Sequence, residues 1–291
     1  MAITASLVKE LRERSGAGMM ECKKALVETD GDLDAAQEQL RKKGQAKAEK
    51  KAGRIAAEGR IELASAAGRA VLVEVNCETD FVAKDENFLA FARRAAELAL
   101  QHDCDDVAAL MAQQVDGGTL EEARLALVAK IGENINVRRL HVLRPAGEVG
   151  AYLHGTRIGV VVDVDGADEG LRKDLAMHIA ATNPRCVSAD DLPAAEVEKE
   201  RAILADQAAQ EGKPPEIVAK MVEGRLRKYL NEITLLGQPF VKDPDISVGK
   251  LLDQQGASVH AYLRLEVGEG IEKKAEDFAA EVQAQVEASG G

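Results

Sequence analysis

Apolar residues recur at helical spacing through the first forty positions. Leu7, Val8 and Leu11 share a stripe, and Thr4 or Ser6 stands where a helix N-cap is wanted. Gly16-Ala17-Gly18 breaks that helix. A second stripe carries Met19, Cys22, Ala25 and Leu26, Asp30-Gly31 makes a turn, and Asp32 caps a third helix with Leu33, Ala36, Gln37 and Leu40. The pattern predicts a small three-helix bundle. Residues 41–54, RKKGQAKAEKKAGR, are basic, Ala-rich and almost free of large apolar side chains, and they read as a solvated, partly helical linker.

The period then changes from helical to alternating, and a unit is repeated. Segments 61–65 and 69–75 alternate as a hairpin around Ala67-Gly68, a helix follows at 87–102, and 136–143 alternates again as a strand. The second copy has a hairpin of 148–154 and 157–164 around Gly155-Thr156, a helix at 170–182 and a closing strand at 258–266. Strand–strand–helix–strand, twice, predicts an α+β protein with mainly antiparallel sheets and helices on one face. Each copy carries an insertion before its last strand. The first is helical, at 120–130. The second, at 190–232, opens at Pro193, turns at Gly212-Lys213-Pro214-Pro215 and carries Val218, Met221, Val222, Leu226 and Tyr229 on a helical stripe, which predicts an antiparallel helical hairpin. Its unpartnered apolar positions fit either a partner chain or the protein's own core. The tail, 271–291, is helix-prone and ends in Ser-Gly-Gly.

Composition narrows the function. The 291 residues carry a net charge of −12, yet residues 1–54 hold 12 Lys+Arg against 9 Asp+Glu, so the remainder carries −15. An acidic body argues against general nucleic-acid binding, which needs a basic face. The cysteines, Cys22, Cys77, Cys104 and Cys186, form no CxxC pair and read as reduced thiols of a cytoplasmic protein. No signal core or membrane-length apolar run is present. No P-loop, GxSxG or HExxH signature occurs, and Gly16-Ala17-Gly18 lacks the preceding strand of a phosphate loop. His102-Asp103-Cys104-Asp105-Asp106 groups metal-capable residues at a helix end without a second cluster to complete a site. No enzymatic chemistry, cofactor or metal is expected.

Three features point to a binding protein. Phe81, one of five phenylalanines, lies in the charged loop Asn76-Cys77-Glu78-Thr79-Asp80-Phe81-Val82-Ala83-Lys84, between a strand and a helix. It is either a cap on its own core or an exposed wedge aimed at a partner. Met19 and Met20 are adjacent, so one packs in the bundle and the other faces outward. His154 falls at the second hairpin tip as a surface histidine or a contact, whereas His178, in AMHIAA, reads as a satisfied core histidine.

The stretches ITASLVKELRERSGAGMMECKKAL, NCETDFVAKDENF, VAKIGENINVRR, GKPPEIVAKMVEGR and LLGQPFVKD, in that order, resemble the elongation factor Ts family over essentially the whole chain. The resemblance implies a ubiquitin-associated-like helical domain and basic linker at 1–54. It implies core subdomains at 55–144 and at 145–189 with 233–268, a dimerisation hairpin at 190–232 and a C-terminal helical module at 269–291. The implied partner is elongation factor Tu, with Thr79, Asp80, Phe81 and Val82 near its magnesium and phosphate region. Arg12, Met19 and Met20 would support an N-terminal contact, Ile131 would sit near the wedge, and His154 would belong to a second docking surface. A homodimer through the hairpin is a further implication. A general helical scaffold and an RNA-binding factor using the basic linker are the competing classes.

Overall fold

Leu7 N–H donates to the Thr4 hydroxyl at 3.2 Å, which starts α1 (Ala5–Ser15), and Gly16 ends it at φ 65°. α2 (Met19–Glu28) follows, and Asp32 then caps α3 (Leu33–Lys51) by accepting from Asp34 and Ala35 N–H. The computed structural model describes residues 3–115 and 117–272. Val8, Leu11, Cys22, Ala25, Leu26 and Ala36 fill the bundle centre.

One expectation is corrected here. Neither methionine packs inside: Met19 is 58% exposed and Met20 73%. Both lie on the outer face of α2, whose inner face is taken by Cys22, Ala25 and Leu26. The basic segment 41–54 is helical as far as Lys51 and exposed over most of its length, as read from the sequence, and it also packs at two points. α3 runs unbroken to Lys51, with Gly44 and Ala48 buried. A Cβ at Gly44 would meet the Ala129 Cβ at 3.4 Å, so two helices approach closely there through small residues.

The first sheet unit comprises β1 (Glu58–Ala66), β2 (Arg69–Cys77), α4 (Glu86–Gln101), α5 (Val107–Met111), the short pair β3 (Gln114–Val115) and β4 (Gly118–Thr119), α6 (Leu120–Ile131) and β5 (Asn136–Leu143). Next come β6 (Glu148–His154), β7 (Ile158–Asp165), α7 (Glu169–Thr182), α8 (Ala194–Ala209) and α9 (Pro215–Ile233). β8 (Pro239–Phe240), β9 (Asp243–Ser247), α10 (Val248–Gln255) and β10 (Ser258–Glu266) complete the described elements. The two main sheets have orders β1-β2-β5 and β6-β7-β10 and are antiparallel throughout, so the same topology is built twice. The pairs β3–β4 and β8–β9 and the helices α5 and α10 were not foreseen.

Alternation along the central strands sets the layers. Val71, Val73 and Val75 join Phe88, Ala92 and Ala95 of α4, while Val160, Val162 and Val164 join Leu175, Ala176 and Ile179 of α7. The intervening residues build a third core: Ala70 and Leu72 meet Ile61, Leu143, Val161, Leu265 and Val267. The two sheets therefore pack back to back, giving helix, sheet, sheet, helix. Each sheet carries its helix on one face, as the pattern predicts, and the other sheet covers the remaining face. Gly159 sits at the closest approach, where a Cβ would lie 2.5 Å from Ile61 Cγ2 and 3.1 Å from Leu72 Cδ2.

α8 and α9 pair as the expected hairpin, with Val222 and Leu226 buried between them and Ile203 and Ile217 left exposed. His178 is a core histidine, as expected. Its Nδ1 accepts from Val241 N–H at 3.2 Å, so its Nε2 carries the proton and faces Gln238 Oε1 at 3.0 Å. Of the expected C-terminal helix, 269–272 is turn and irregular chain, and 273–291 lies outside the described residues.

Gly159→Ala should lower stability by about 1–3 kcal/mol by overpacking the inter-sheet core, seen as a lower urea midpoint with an unchanged slope. Two histidines should titrate on opposite sides of the ordinary value of 6.5. Burial holds His178 below it, and the hydrogen bond to Asp165 lifts exposed His260 above it. Proton NMR of the imidazole signals reads both midpoints, and coincident titration would contradict these environments.

Candidate protein-docking site

β2 delivers its last residue, Cys77, into the core, and the chain then turns outward for a few residues before α4. The Cys77 thiol is buried, which pushes it up to about 12, and it donates to Thr79 carbonyl oxygen at 3.2 Å. Ala83 N–H donates to Thr79 O and Lys84 N–H to Phe81 O, closing the turn Val82–Lys84. Asp85 then caps α4 by accepting from Asn87 and Phe88 N–H at 2.8 and 3.2 Å. Ala83 is buried and Val82 packs on the first core. Only one large apolar side chain in this loop points away: Phe81 is 80% exposed. The reading of Phe81 as a cap on its own core is thereby overturned.

A second loop holds the first in place. Glu133, just past the C-terminal end of α6, accepts from Glu78 N–H at 3.0 Å, Thr79 N–H at 3.1 Å and the Thr79 hydroxyl at 2.7 Å. Glu78 in return accepts from Asn134 N–H at 2.6 Å. Asn134 Nδ2 donates to Arg54 O at 2.7 Å, and Lys51 donates to Gly132 O. The end of α3, the turn 132–134 and the loop base 78–79 thus form one hydrogen-bonded block. Charge-assisted bonds of this kind are worth about 1.5–3 kcal/mol each when shielded, less where water reaches them. The block fixes the loop backbone while leaving the Phe81 ring free. Asp80 pairs with Lys84 at 2.8 Å, and that hydrogen bond holds its carboxyl below the usual range.

The remaining expected site residues fall on three elements. Ile131 is half-buried against the first core, two residues before Glu133 and therefore next to the loop support. Arg12 is exposed on α1, and Met19 and Met20 stand on the first turn of α2, so these three belong to the separate bundle carried by α3. His154 is exposed at the β6–β7 turn, its Nδ1 3.0 Å from the Tyr152 hydroxyl. That turn lies at the same end of the molecule as Phe81. Ile61 N–H donates to Thr156 O at 2.9 Å, Arg157 pairs with Glu58 at 2.7 Å, and Glu58 is the β1 partner of Cys77.

Sequence reasoning missed Glu133, Glu78 and Asn134. Their contacts span 54–56 residues or more, and no local signal marks a carboxylate that caps a distant loop. The helix-stop Gly132, at φ 89°, was the available hint that a turn with exposed hydrogen-bonding groups begins there. The His102–Asp106 cluster serves arginines instead: Asp103 and Asp105 pair with Arg69, Asp105 also pairs with Arg144, and Asp106 caps α5.

Comparison with known proteins adds an independent line. Residues 78–269 match the family model described as Elongation factor TS. The chain is 62% identical over 289 residues to Elongation factor Ts of Thioalkalivibrio sulfidiphilus, covering 98% of this chain and 99% of that protein. It is 61% identical over 292 residues to Elongation factor Ts of Alkalilimnicola ehrlichii, covering 99% and 100%. The protein of the same name from Idiomarina loihiensis is 59% identical over 289 residues, with 99% of each chain covered. A match of this length and identity spans the Phe81 loop, Glu133 and both sheets, and it makes this chain a member of the elongation factor Ts family.

Proposed function

We propose that this protein is a guanine-nucleotide exchange factor for elongation factor Tu, acting in the cytoplasm during translation elongation. Family membership supports the exchange role in general. The observation that carries the mechanism is the rigidly mounted, 80% exposed Phe81. An aromatic ring held outward by a hydrogen-bonded backbone loses little further freedom on docking, so most of its burial energy is available for binding.

In this reading Thr79, Asp80, Phe81 and Val82 approach the magnesium and phosphate region of Tu, and Phe81 inserts between the partner's side chains. A state of Tu with that region distorted binds the loop better than the GDP-bound state does. Reciprocity then requires the loop to weaken GDP by the same factor. The equilibrium between GDP and GTP is unchanged, and no covalent chemistry occurs. Asp80 arrives paired with Lys84, so the charge next to the ring is balanced and the wedge is chiefly apolar. Their exposed pair is easily opened on contact, which would free the Asp80 carboxylate to disfavour the acidic, phosphate-bearing arrangement nearby.

Arg12, Met19 and Met20 would dock the bundle on the nucleotide-binding domain of Tu, and His154 would dock the second sheet unit on another domain. Ile131 would support the wedge from behind. The chain divides in this reading as the family does, at 1–54, 55–144, 145–189 with 233–268, 190–232 and 269–291. The exposed Ile203 and Ile217 of the hairpin would serve self-association.

Phe81→Ala should leave thermal stability unchanged, because the ring is not packed. It should lower the rate of fluorescent-GDP release from Tu by roughly tenfold to a hundredfold, the equivalent of about 1.5–3 kcal/mol of lost aromatic burial. Wild-type release by this variant under limiting concentration would sink the wedge. Glu133→Ala should act in the same direction but less strongly. It unpins the loop without removing the ring, so the Thr79 amide should exchange faster with deuterium. An unchanged Thr79 amide would show that the loop holds itself.

A further inference from the structure

The face of β2 that meets the second sheet starts apolar, with Ala70 and Leu72, and ends in Glu74 and Asn76, both fully buried. A carboxylate inside an inter-sheet core is costly unless it is fully partnered. Glu74 is. Gly268 N–H donates to Oε1 at 2.8 Å, Asn76 Nδ2 donates to it at 3.0 Å, Arg138 Nη1 lies 3.2 Å from both oxygens, and Arg139 Nε donates to Oε2.

The two arginines come from one local irregularity. Pairing between β2 and β5 shifts between Glu74 and Val75, so Glu74 faces Arg139 while Val75 faces Val137. Arg138 is the extra residue of a β-bulge. In a regular strand adjacent side chains point to opposite faces, and a bulge re-aims one of them. Here it turns both guanidinium groups onto one carboxylate.

Both arginines then reach across to the other sheet unit. Arg139 Nη2 donates to Glu266 O at 2.9 Å, Arg138 Nη2 donates to Glu269 O at 2.6 Å, and Arg139 pairs with Glu269 at 3.3 Å. Glu74 thus ties β2, which leads into the Phe81 loop, to the end of β10 in the sheet that carries the His154 turn. Asn76 adds a bond from Nδ2 to Glu58 O at 3.1 Å, next to the Arg157–Glu58 pair that anchors that turn. Apart from the Ile61 N–H bond to Thr156 O near the turn, the remaining inter-sheet contact is apolar, and apolar burial is non-directional and does not by itself fix the angle between the sheets.

We infer that Glu74, clasped by Arg138, Arg139 and Gly268, is a positioning residue for exchange: it locks the angle between the two sheet units so that a partner held at the His154 end meets the Phe81 wedge in one fixed geometry. The inference rests on the exchange function proposed above. Burial alone would push the Glu74 carboxyl up, but the Gly268, Arg139 and Asn76 hydrogen bonds outweigh it and keep the group below the usual range. The clasp is therefore an ionic one.

The test is fluorescent-GDP release from elongation factor Tu, followed by stopped flow against increasing excess of wild type, Glu74→Gln and Arg138→Gln. Partial unfolding would raise the half-saturating concentration and leave the plateau rate intact, because adding protein restores the folded fraction. A lost angle would lower the plateau and move the half-saturating concentration little. The expected plateau losses are about tenfold for Glu74→Gln and about threefold for Arg138→Gln, since small misplacements of a reacting element cost rate steeply. Arg138→Gln keeps Arg139 on Glu74, so it carries the decision if Glu74→Gln does not fold. Wild-type acceleration with unchanged plateaus in the folded variants overturns this inference alone. No acceleration by wild type overturns the exchange reading and this inference with it.

Discussion

The contact between the two sheets sets the position of everything else. Ile61, Leu72, Val161 and Leu265 are almost completely buried between them, and Gly159 leaves room for the Ile61 and Leu72 side chains where a Cβ would intrude. Burying such side chains fully is worth about 1.5–3 kcal/mol each, before the chain entropy that opposes it. All nine residues of β2 are buried as a result, covered by α4 on one side and by the second sheet on the other. A strand buried on both faces is a stiff support, and the Phe81 loop hangs from its end.

Rigidity and exposure are divided sharply in that loop. The core takes Cys77, Ala83 and, in part, Val82, while Glu133 satisfies the backbone N–H groups of Glu78 and Thr79. With its neighbours so constrained, the loop cannot fold Phe81 inward without breaking the Glu133 bonds or displacing the packed residues on either side. The exposed ring is therefore a stable feature of the free protein and needs no partner to form it.

The repeated sheet units were legible because their signals are local. Alternation gave β5, β6 and β10 at their observed bounds, and glycines at positive φ, such as Gly68 and Gly155, marked the hairpin turns. Phe81 was legible as an anomaly, an aromatic residue among charges, although only geometry could decide which way it points. The helical, largely exposed course of 41–51 was legible but its packing was not, because an Ala-rich helix with no large apolar side chain lacks the stripe by which buried helices are recognised. Its partner is Ala129, reached through Gly44, and small residues mark a close approach only once the opposing helix is known. Glu74 sits in VLVEVNC, where a charge within an apolar run signals either an edge or a buried ion pair. The bulge at Arg138 that settles the matter leaves no trace in the sequence.

Continuity of α3 changes what the N-terminal bundle can do. A flexible linker would let the bundle search space and would add affinity only through effective concentration. A helix packed on α6 and latched at Lys51 to Gly132 holds the bundle at a set angle to the same turn whose Glu133 supports the loop. The β6–β7 turn is stitched to the same end through Glu58 and Ile61. Three exposed features, Met19 and Met20, Phe81, and His154, are thus carried on one framework without a free joint among the described residues. A partner that engages the outer two is presented with the middle one whether or not its own ground state has room for it. In the exchange reading proposed above, that is the condition under which a single side chain would act as a wedge: contacts made elsewhere would drive its insertion, and the stiffness of the framework would deliver that binding energy to the ring.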